Sequence, residues 1–339
     1  MEVAPSNPER EDLLSATRRR IERWYPKVRP LFPWISLAMG VAGALLLERT
    51  PDKAPIAAAG AVAGLVLLLG FVAASSLSRA RDGQAQWVEG AKLVALVGSQ
   101  SMLQLGLFFS VPFYAQAMVW EPGHVIFVGV LGALALVSLW DPLYFWVAER
   151  PFLGPLVQSL AAFATANAVL PVLGIENRVS LAVSAGLVLL GIPIHGIVTR
   201  RLDWPHVLAA VLLPVALRFG ADRLVPAAPL RLGATAFGTS VDAPWVADEL
   251  GKSAPVPEQL VCATAIIAPR GLRDALVHRW SQGGQTRDEI PLDVRGGREK
   301  GYRTFSVKHN IGPGKWRCEV RTASGQLLGG PSIELRATR

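Results

Sequence analysis

The chain predicts an α-helical bundle embedded in a bilayer, followed by a small all-β antiparallel sandwich. Three observations predict it. Seven long apolar stretches fill residues 31–47, 55–77, 93–119, 125–147, 152–174, 179–199 and 205–219. From residue 226 the composition turns to Ala, Gly, Pro and Ser. Beyond residue 258 the apolar period falls to two, the spacing of a half-buried strand.

The bilayer reading comes first because length decides it. Crossing a hydrocarbon core of about 30 Å takes roughly 20 apolar residues as a helix. A chain of 339 residues that is 51% hydrophobic could hold two soluble domains, but uncharged runs of this length recur too often for a soluble core. The seventh stretch is the weakest, since its clean part, 207–217, ends at Arg218. It spans by recruiting its flanks or lies flat at the interface. No cleavable leader is expected, because the first thirty residues are charged and the first apolar run begins only at Leu31.

Net charge is +8, and its sign is read loop by loop, because Lys and Arg stay on the side from which the chain is not translocated. With a cytoplasmic N-terminus that side receives Arg10, Arg18, Arg19, Arg20, Arg23, Lys27 and Arg29, then Arg79, Arg81 and Lys92, then Arg150, then Arg200 and Arg201. The other side receives Arg49, Lys53 and Arg178 before the last stretch. Seven spans put the C-terminal third outside the cytoplasm, and six put it inside.

Four parts follow. Residues 1–30 form a basic juxtamembrane tail, in which Leu13, Leu14, Thr17, Ile21 and Trp24 fall at helical spacing against four arginines. It lies on the anionic lipids of the inner leaflet or is a solvated tail that enforces topology. Residues 31–225 are the transmembrane domain, 226–257 a Pro-, Ala- and Gly-rich linker, and 258–339 the sandwich. In the last part Ile290, Leu292 and Val294 alternate with polar neighbours, as do Phe305 with Val307 and Trp316 with Cys318 and Val320. Turn signals at Pro269-Arg270-Gly271, Gly283-Gly284, Gly296-Gly297, Gly312-Pro313-Gly314 and Ser324-Gly325 separate the strands.

Several of these pieces resemble a bacterial module, domain of unknown function family 2914. They are the strand at 260–269, His278-Arg279-Trp280, the stretch from Gly296-Gly297-Arg298 to Gly301-Tyr302-Arg303-Thr304, and Gly314-Lys315-Trp316-Arg317 leading to Thr322-Ala323-Ser324-Gly325-Gln326-Leu327-Leu328-Gly329. The membrane half resembles the helical region, also of unknown function, that accompanies this module, most distinctively at Ser138-Leu139-Trp140-Asp141-Pro142-Leu143-Tyr144. The resemblance implies architecture and no chemistry.

Candidate chemistry is sparse. Cys262 and Cys318 fall in expected strands with Trp280 between them, the arrangement of an immunoglobulin-like sandwich with an inter-sheet disulfide. If paired they would stabilise the domain by roughly 4 kcal/mol in the chain-entropy model, and the alternative is two free core thiols. No metal site is expected from two cysteines without clustered histidines, and no cofactor motif occurs. His278 and Trp280 share a strand face, and with Tyr302 and Arg303 they either form a shallow site for a sugar, peptide end or anionic headgroup or belong to the core and its rim. Inside the membrane, Gln100 and Gln104 with Ser99 and Ser101, Gln158 and Asn167, and His195 should face other helices or a wet cavity. Asp141, next to Pro142, would cost about 3 kcal/mol at mid-bilayer and far less at a helix end.

Phosphate-cradling loops, nucleophile elbows, paired-histidine zinc helices and CxxC motifs are missing, so an enzyme is not expected. The expectation is an inner-membrane protein whose extracytoplasmic sandwich binds an envelope protein or glycan. The competing class is a small-solute or lipid transporter with the sandwich as accessory. Nucleic acid is not expected as a partner, because the cationic tail abuts the first span, where lipid headgroups compete for it.

Overall fold

A computed structural model describes residues 34–40, 86–198, 203–242, 245–270, 272–298 and 300–337, with a few isolated positions in the first third. The basic tail, nearly all of the second apolar stretch and about half of the first lie outside the described residues. The helical half runs α1 (Gln86–Ala117), α2 (Pro122–Leu139), α3 (Asp141–Glu149), α4 (Leu153–Val172), α5 (Asn177–Val198), α6 (Trp204–Phe219) and the short α7 (Ala221–Leu224). Proline opens α2, α3 and α6 within the first turn, where the missing N–H would have no helical partner anyway.

Three described helices are long and apolar enough to cross a membrane: Pro122–Leu139, Leu153–Val172 and Asn177–Ile197. Seven spans are therefore not supported as such. The fourth stretch, expected to continue to residue 147, breaks at Trp140, whose backbone is extended, and restarts as the nine-residue α3. Helix α6 has 16 residues, about 24 Å at 1.5 Å per residue.

Small residues set the spacing inside the bundle. On α4, Ala161, Ala162, Ala164, Ala166 and Ala168 are buried around Phe163. A Cβ on Gly106 would lie 2.5 Å from Thr165 Oγ1, and one on Gly191 would lie 2.9 Å from Ser159 Oγ. Helices in lipid gain little from hydrophobicity between themselves, so close backbone approach at such positions holds them. The outward surface is apolar, with Ile126, Leu136, Leu190, Ile197 and Leu212 exposed. Exposed aromatic rings mark both ends of it: Trp120 and Phe219 at one, Trp140, Trp146 and Trp204 at the other.

The C-terminal part is an all-β unit of two facing sheets. One has the order β4 (Glu249–Leu250), β1 (Arg231–Gly238), β6 (Gln259–Ile267), β9 (Tyr302–His309). The other has β5 (Ser253–Pro255), β12 (Ser332–Arg336), β10 (Gly314–Thr322), β7 (Arg273–Gln282), β8 (Gln285–Arg295), with β11 (Leu327–Gly329) also on β10. The neighbours are antiparallel except β12 with β5. A small hairpin, β2 (Val241–Asp242) with β3 (Trp245–Val246), covers the outer face of the first sheet through Ala236, Val261, Ala263, Phe305 and Val307.

Residues 226–257 are thus not a linker. They supply β1 to β5, and β1 is an interior strand, paired with both β4 and β6. Gly233 and Gly238 lie close to neighbouring backbone, and a Cβ on Gly238 would be 2.6 Å from the Asp248 carbonyl oxygen, while Ala236 packs under the hairpin. Composition alone reads such a strand as a spacer.

Gly106→Ala should destabilise the bundle by roughly 1–3 kcal/mol, because the methyl forces α1 from α4. Adding Thr165→Ala removes the colliding hydroxyl and should recover most of the loss, as read by thermal unfolding of the purified protein in detergent.

Candidate functional site

The intramembrane polar residues resolve into helix-to-helix ties. Pro142 has no N–H to give the carbonyl of Ser138, four residues earlier, and the break at Trp140 turns the chain away. Gln100 Nε2 donates to that carbonyl at 2.9 Å and to Asp141 Oδ1 at 2.8 Å, and Gln104 Nε2 donates to the same carbonyl. Their spacing of four puts both amides on one face of α1. Ser99 Oγ lies 3.1 Å from the Tyr144 hydroxyl one turn further on. Nearer the middle, Asn167 Nδ2 donates to the Tyr114 hydroxyl at 3.0 Å, which donates to the Ala164 carbonyl at 3.2 Å. His195 is buried near the end of α5.

In the β unit, Cys262 on β6 and Cys318 on β10 form a disulfide that joins the two sheets. Trp280 stands opposite Cys318 in the β7–β10 register and packs edge-on to Trp316, with ring centroids 6.4 Å apart. Beside the bridge lies a polar core. Trp280 Nε1 donates to Ser306 Oγ at 3.0 Å, and Ser306 Oγ is 2.7 Å from His278 Nδ1, whose Nε2 is 2.9 Å from Thr264 Oγ1. A neutral imidazole completes this chain: the serine passes its own proton to Nδ1 and Nε2–H goes to the threonine. Burial pushes the His278 pKa down to about 4, which keeps the ring neutral.

The suggested surface site of His278, Trp280, Tyr302 and Arg303 is not assembled. His278 and Trp280 are fully buried between the sheets. Tyr302 packs on the inner cluster of Ile266 and Leu328, while Arg303, its neighbour on the strand, points to the other face, over the Trp245 ring at 5.2 Å. Alternation along β9 makes that separation unavoidable. The sulfurs of Cys262 and Cys318 and a ring nitrogen of His278 lie within 4.8 Å of one another, but the bridge occupies both sulfurs.

A third cluster was not foreseen: a buried seam joins the two halves. Asn177, first residue of α5, donates its backbone N–H to Asp274 Oδ2 at 3.3 Å and its side-chain amide to Gln326 Oε1. Gln326 Nε2 in turn donates to the carbonyls of Val225 at 3.0 Å and Pro226 at 3.3 Å. Burial pushes the Asp274 carboxyl up to about 6, with the Asn177 N–H pulling the other way and Glu176 adding to the rise. Nearby, Arg231 Nη1 donates to Gln116 Oε1 at 2.7 Å, and Gly123 abuts the Arg223 carbonyl so closely that a Cβ would sit 1.9 Å from it. The only sequence signal was a run of polar residues, Glu176-Asn177-Arg178, between two apolar stretches, and one Gln in a turn.

Two outcomes test these assignments. Gln100→Leu with Gln104→Leu should cost roughly 1–3 kcal/mol by leaving the Ser138 carbonyl unpaired, and either alone much less. Pro142→Ala returns a donor at position 142 and should restore part of the loss, read by thermal unfolding in detergent.

For His278 the folded-state pKa is below that of the unfolded chain, so the unfolded state binds more protons between pH 6.5 and 4. Stability of the β unit is therefore full above pH 6.5 and falls through that window, by about 3 kcal/mol in all. Denaturant titration followed by tryptophan near-ultraviolet dichroism should show this loss in an Asp274→Asn background, and His278→Gln should abolish it.

The chain matches two family descriptions, and neither carries an activity. Residues 273–331 match a protein of unknown function (DUF2914), in agreement with the resemblance carried by the C-terminal motifs. A search of the curated proteins found no significant match. Residues 11–250 match a family of unknown function (DUF5924), which takes in the helical half and the first strands of the β unit, and the chain belongs to that family.

Proposed function

We propose that this is a multi-pass protein of the bacterial inner membrane, with a cytoplasmic N-terminus, that presents an immunoglobulin-like sandwich outside the cytoplasm. The sandwich is a non-catalytic binding module for an envelope protein or glycan, in a structural, sensory or assembly role. One observation carries the reading: the face of the bundle on which the β unit sits. It rests where α1, α4 and α6 end and α2 and α5 begin, through Gln116, Asn177, Val225 and Pro226. Arg150 lies at the opposite end, as do the end of α5 and the start of α6, between which Arg200 and Arg201 stand in the sequence. The start of α6 is held at that opposite end, where His206 Nε2 lies 2.9 Å from the Pro151 carbonyl oxygen. Helix α6 therefore travels from the Arg150 face to the β unit, as a crossing helix does, short as it is. The sequence count, with the seven cations of residues 10–29, Arg79, Arg81, Lys92, Arg150, Arg200 and Arg201 against Arg49, Lys53, Arg178, Arg218 and Arg223, supports an outside position for the sandwich by the positive-inside rule, and its disulfide is stable there.

The transport reading draws on Gln158 Oε1 and Asn167 Oδ1, buried acceptors without a donor among the described residues. Nine residues apart on α4, they point about 180° from each other and share no site. Ser99, Gln100, Gln104 and the Asn167 amide nitrogen tie helices together, which favours a scaffold over a pathway.

Because both native cysteines are buried, the topology test needs new thiols at exposed positions. Gln285→Cys, in the turn between β7 and β8, should react with a membrane-impermeant maleimide in intact cells. Glu149→Cys, at the end of α3, should react only after permeabilisation. The reverse pattern would place the β unit in the cytoplasm and remove the envelope-binding role.

A further inference from the structure

The β unit is polarised by charge along its strands, and the seam decides which end meets the bilayer. Asp274, the second residue of β7, touches the first residue of α5, a candidate span. Arg273 is opposite Arg295 in the β7–β8 register, and the Gly296 and Gly297 N–H groups bond the carbonyls of Leu272 and Ala268. The described residues of the turns at 268–273 and 295–301 are therefore side by side, at the end of the sandwich that meets the bundle. That level carries Trp120 and Phe219, both exposed, and the Arg218 guanidinium stacks 5.5 Å from the Phe219 ring. Such rings settle among headgroups.

The two turns hold Arg270, Arg273, Arg295, Arg298 and Lys300, all exposed, against Glu299 in the same sequence. The opposite end of the sandwich has the other sign. Its turns at 282–285 and 309–314 have no Lys or Arg; beside them Arg287, Lys308, Lys315 and Arg336 stand with Asp288, Glu289 and Glu334, and residues 239–258 carry Asp242, Asp248, Glu249 and Glu258 against Lys252, which leaves this end net acidic. A solvated surface needs no such asymmetry. A cationic rim facing headgroups and an acidic end facing away follow if the domain is seated on an anionic bilayer.

We propose that the turns at 268–273 and 295–301 are a binding surface for anionic phospholipid headgroups, which seat the β unit on the leaflet beside the bundle. Arginine suits this role because its guanidinium takes a phosphate through two parallel hydrogen bonds. The inference rests on the membrane-embedded reading above and holds for either leaflet. It adds a partner, the lipid phosphate, to a module whose acidic end is left for other ligands.

The test uses the full chain in nanodiscs of pure phosphatidylcholine and in nanodiscs in which a third of the lipid is phosphatidylglycerol. Amide hydrogen exchange across 268–273 and 295–301 should slow by about fivefold or more in the anionic discs, given that one surface cation is worth about that much. The difference should disappear in 0.5 M salt and in the variant Arg270→Gln, Arg273→Gln, Arg298→Gln, Lys300→Gln, while strand β6 exchanges alike throughout. The salt series on the unaltered chain stands even if that variant fails to fold. Equal exchange in both lipids overturns the proposal, as does the same slowing by inorganic phosphate on phosphatidylcholine discs, which would identify a soluble anion. A chain that enters no disc at all would instead remove the membrane reading on which the proposal rests.

Discussion

The Gln326 side chain holds the two halves of this protein together. Its oxygen takes the Asn177 amide, and its nitrogen serves the carbonyls of Val225 and Pro226. All of these groups are buried. Buried amides lose their water on docking, and a partner left unpaired costs about 1–3 kcal/mol, so these bonds favour the observed register, with Asn177 Oδ1 the seam atom that has no partner among the described residues. That register decides which end of the sandwich meets the bundle and which face of the bundle carries it. The position of the basic turns at the bundle end and of the acidic stretch at the other follows from it.

A second constraint acts within the bundle. Backbone polar groups in hydrocarbon must find partners inside the protein, so a break in a helix is tolerated only where side chains repair it. The break at Trp140 puts the Ser138 carbonyl in that position, and two glutamines one turn apart on α1 answer it. Asp141, which stands out in the sequence as an intramembrane carboxylate, takes an amide proton from Gln100 at the same joint. Gln100, Gln104 and Asp141, which look like parts of a pathway when read along the chain, are therefore engaged at this joint.

Much of this was legible in the residues. Apolar length marked the helices, period two marked the strands after residue 258, and the order Cys262, Trp280, Cys318 left a bridged sandwich and two free core thiols both open, of which the structure has the bridge. The break at Trp140 was hidden, because no polar run interrupts residues 125–139 and the cue, Asp141-Pro142, also fits a simple helix end. Strands β1 to β5 were hidden by small residues, whose Gly and Ala content reflects close packing rather than freedom. His278 and Trp280 were correctly paired on one face, but period two cannot say which face is inside. The seam was invisible because Asn177, Asp274 and Gln326 are separated by up to 149 residues and none has a local signature.

Proton linkage at two of these sites runs in opposite directions. His278 loses stability as pH falls from 6.5 toward 4, because the buried ring must stay neutral. Asp274 has its folded pKa raised to about 6, so its contribution is present at low pH and is lost as pH rises from about 4 through 6. Each amounts to about 3 kcal/mol over nearly the same window. Between pH 6.5 and 4 these two contributions offset in a global unfolding free energy. Locally they do not offset, because the imidazole lies between the sheets and the carboxylate lies against the bundle. Acidification thus loosens the core of the sandwich while tightening its grip on the helices. The disulfide, which does not titrate in this range, is then what keeps the two sheets together while the seam is at its strongest.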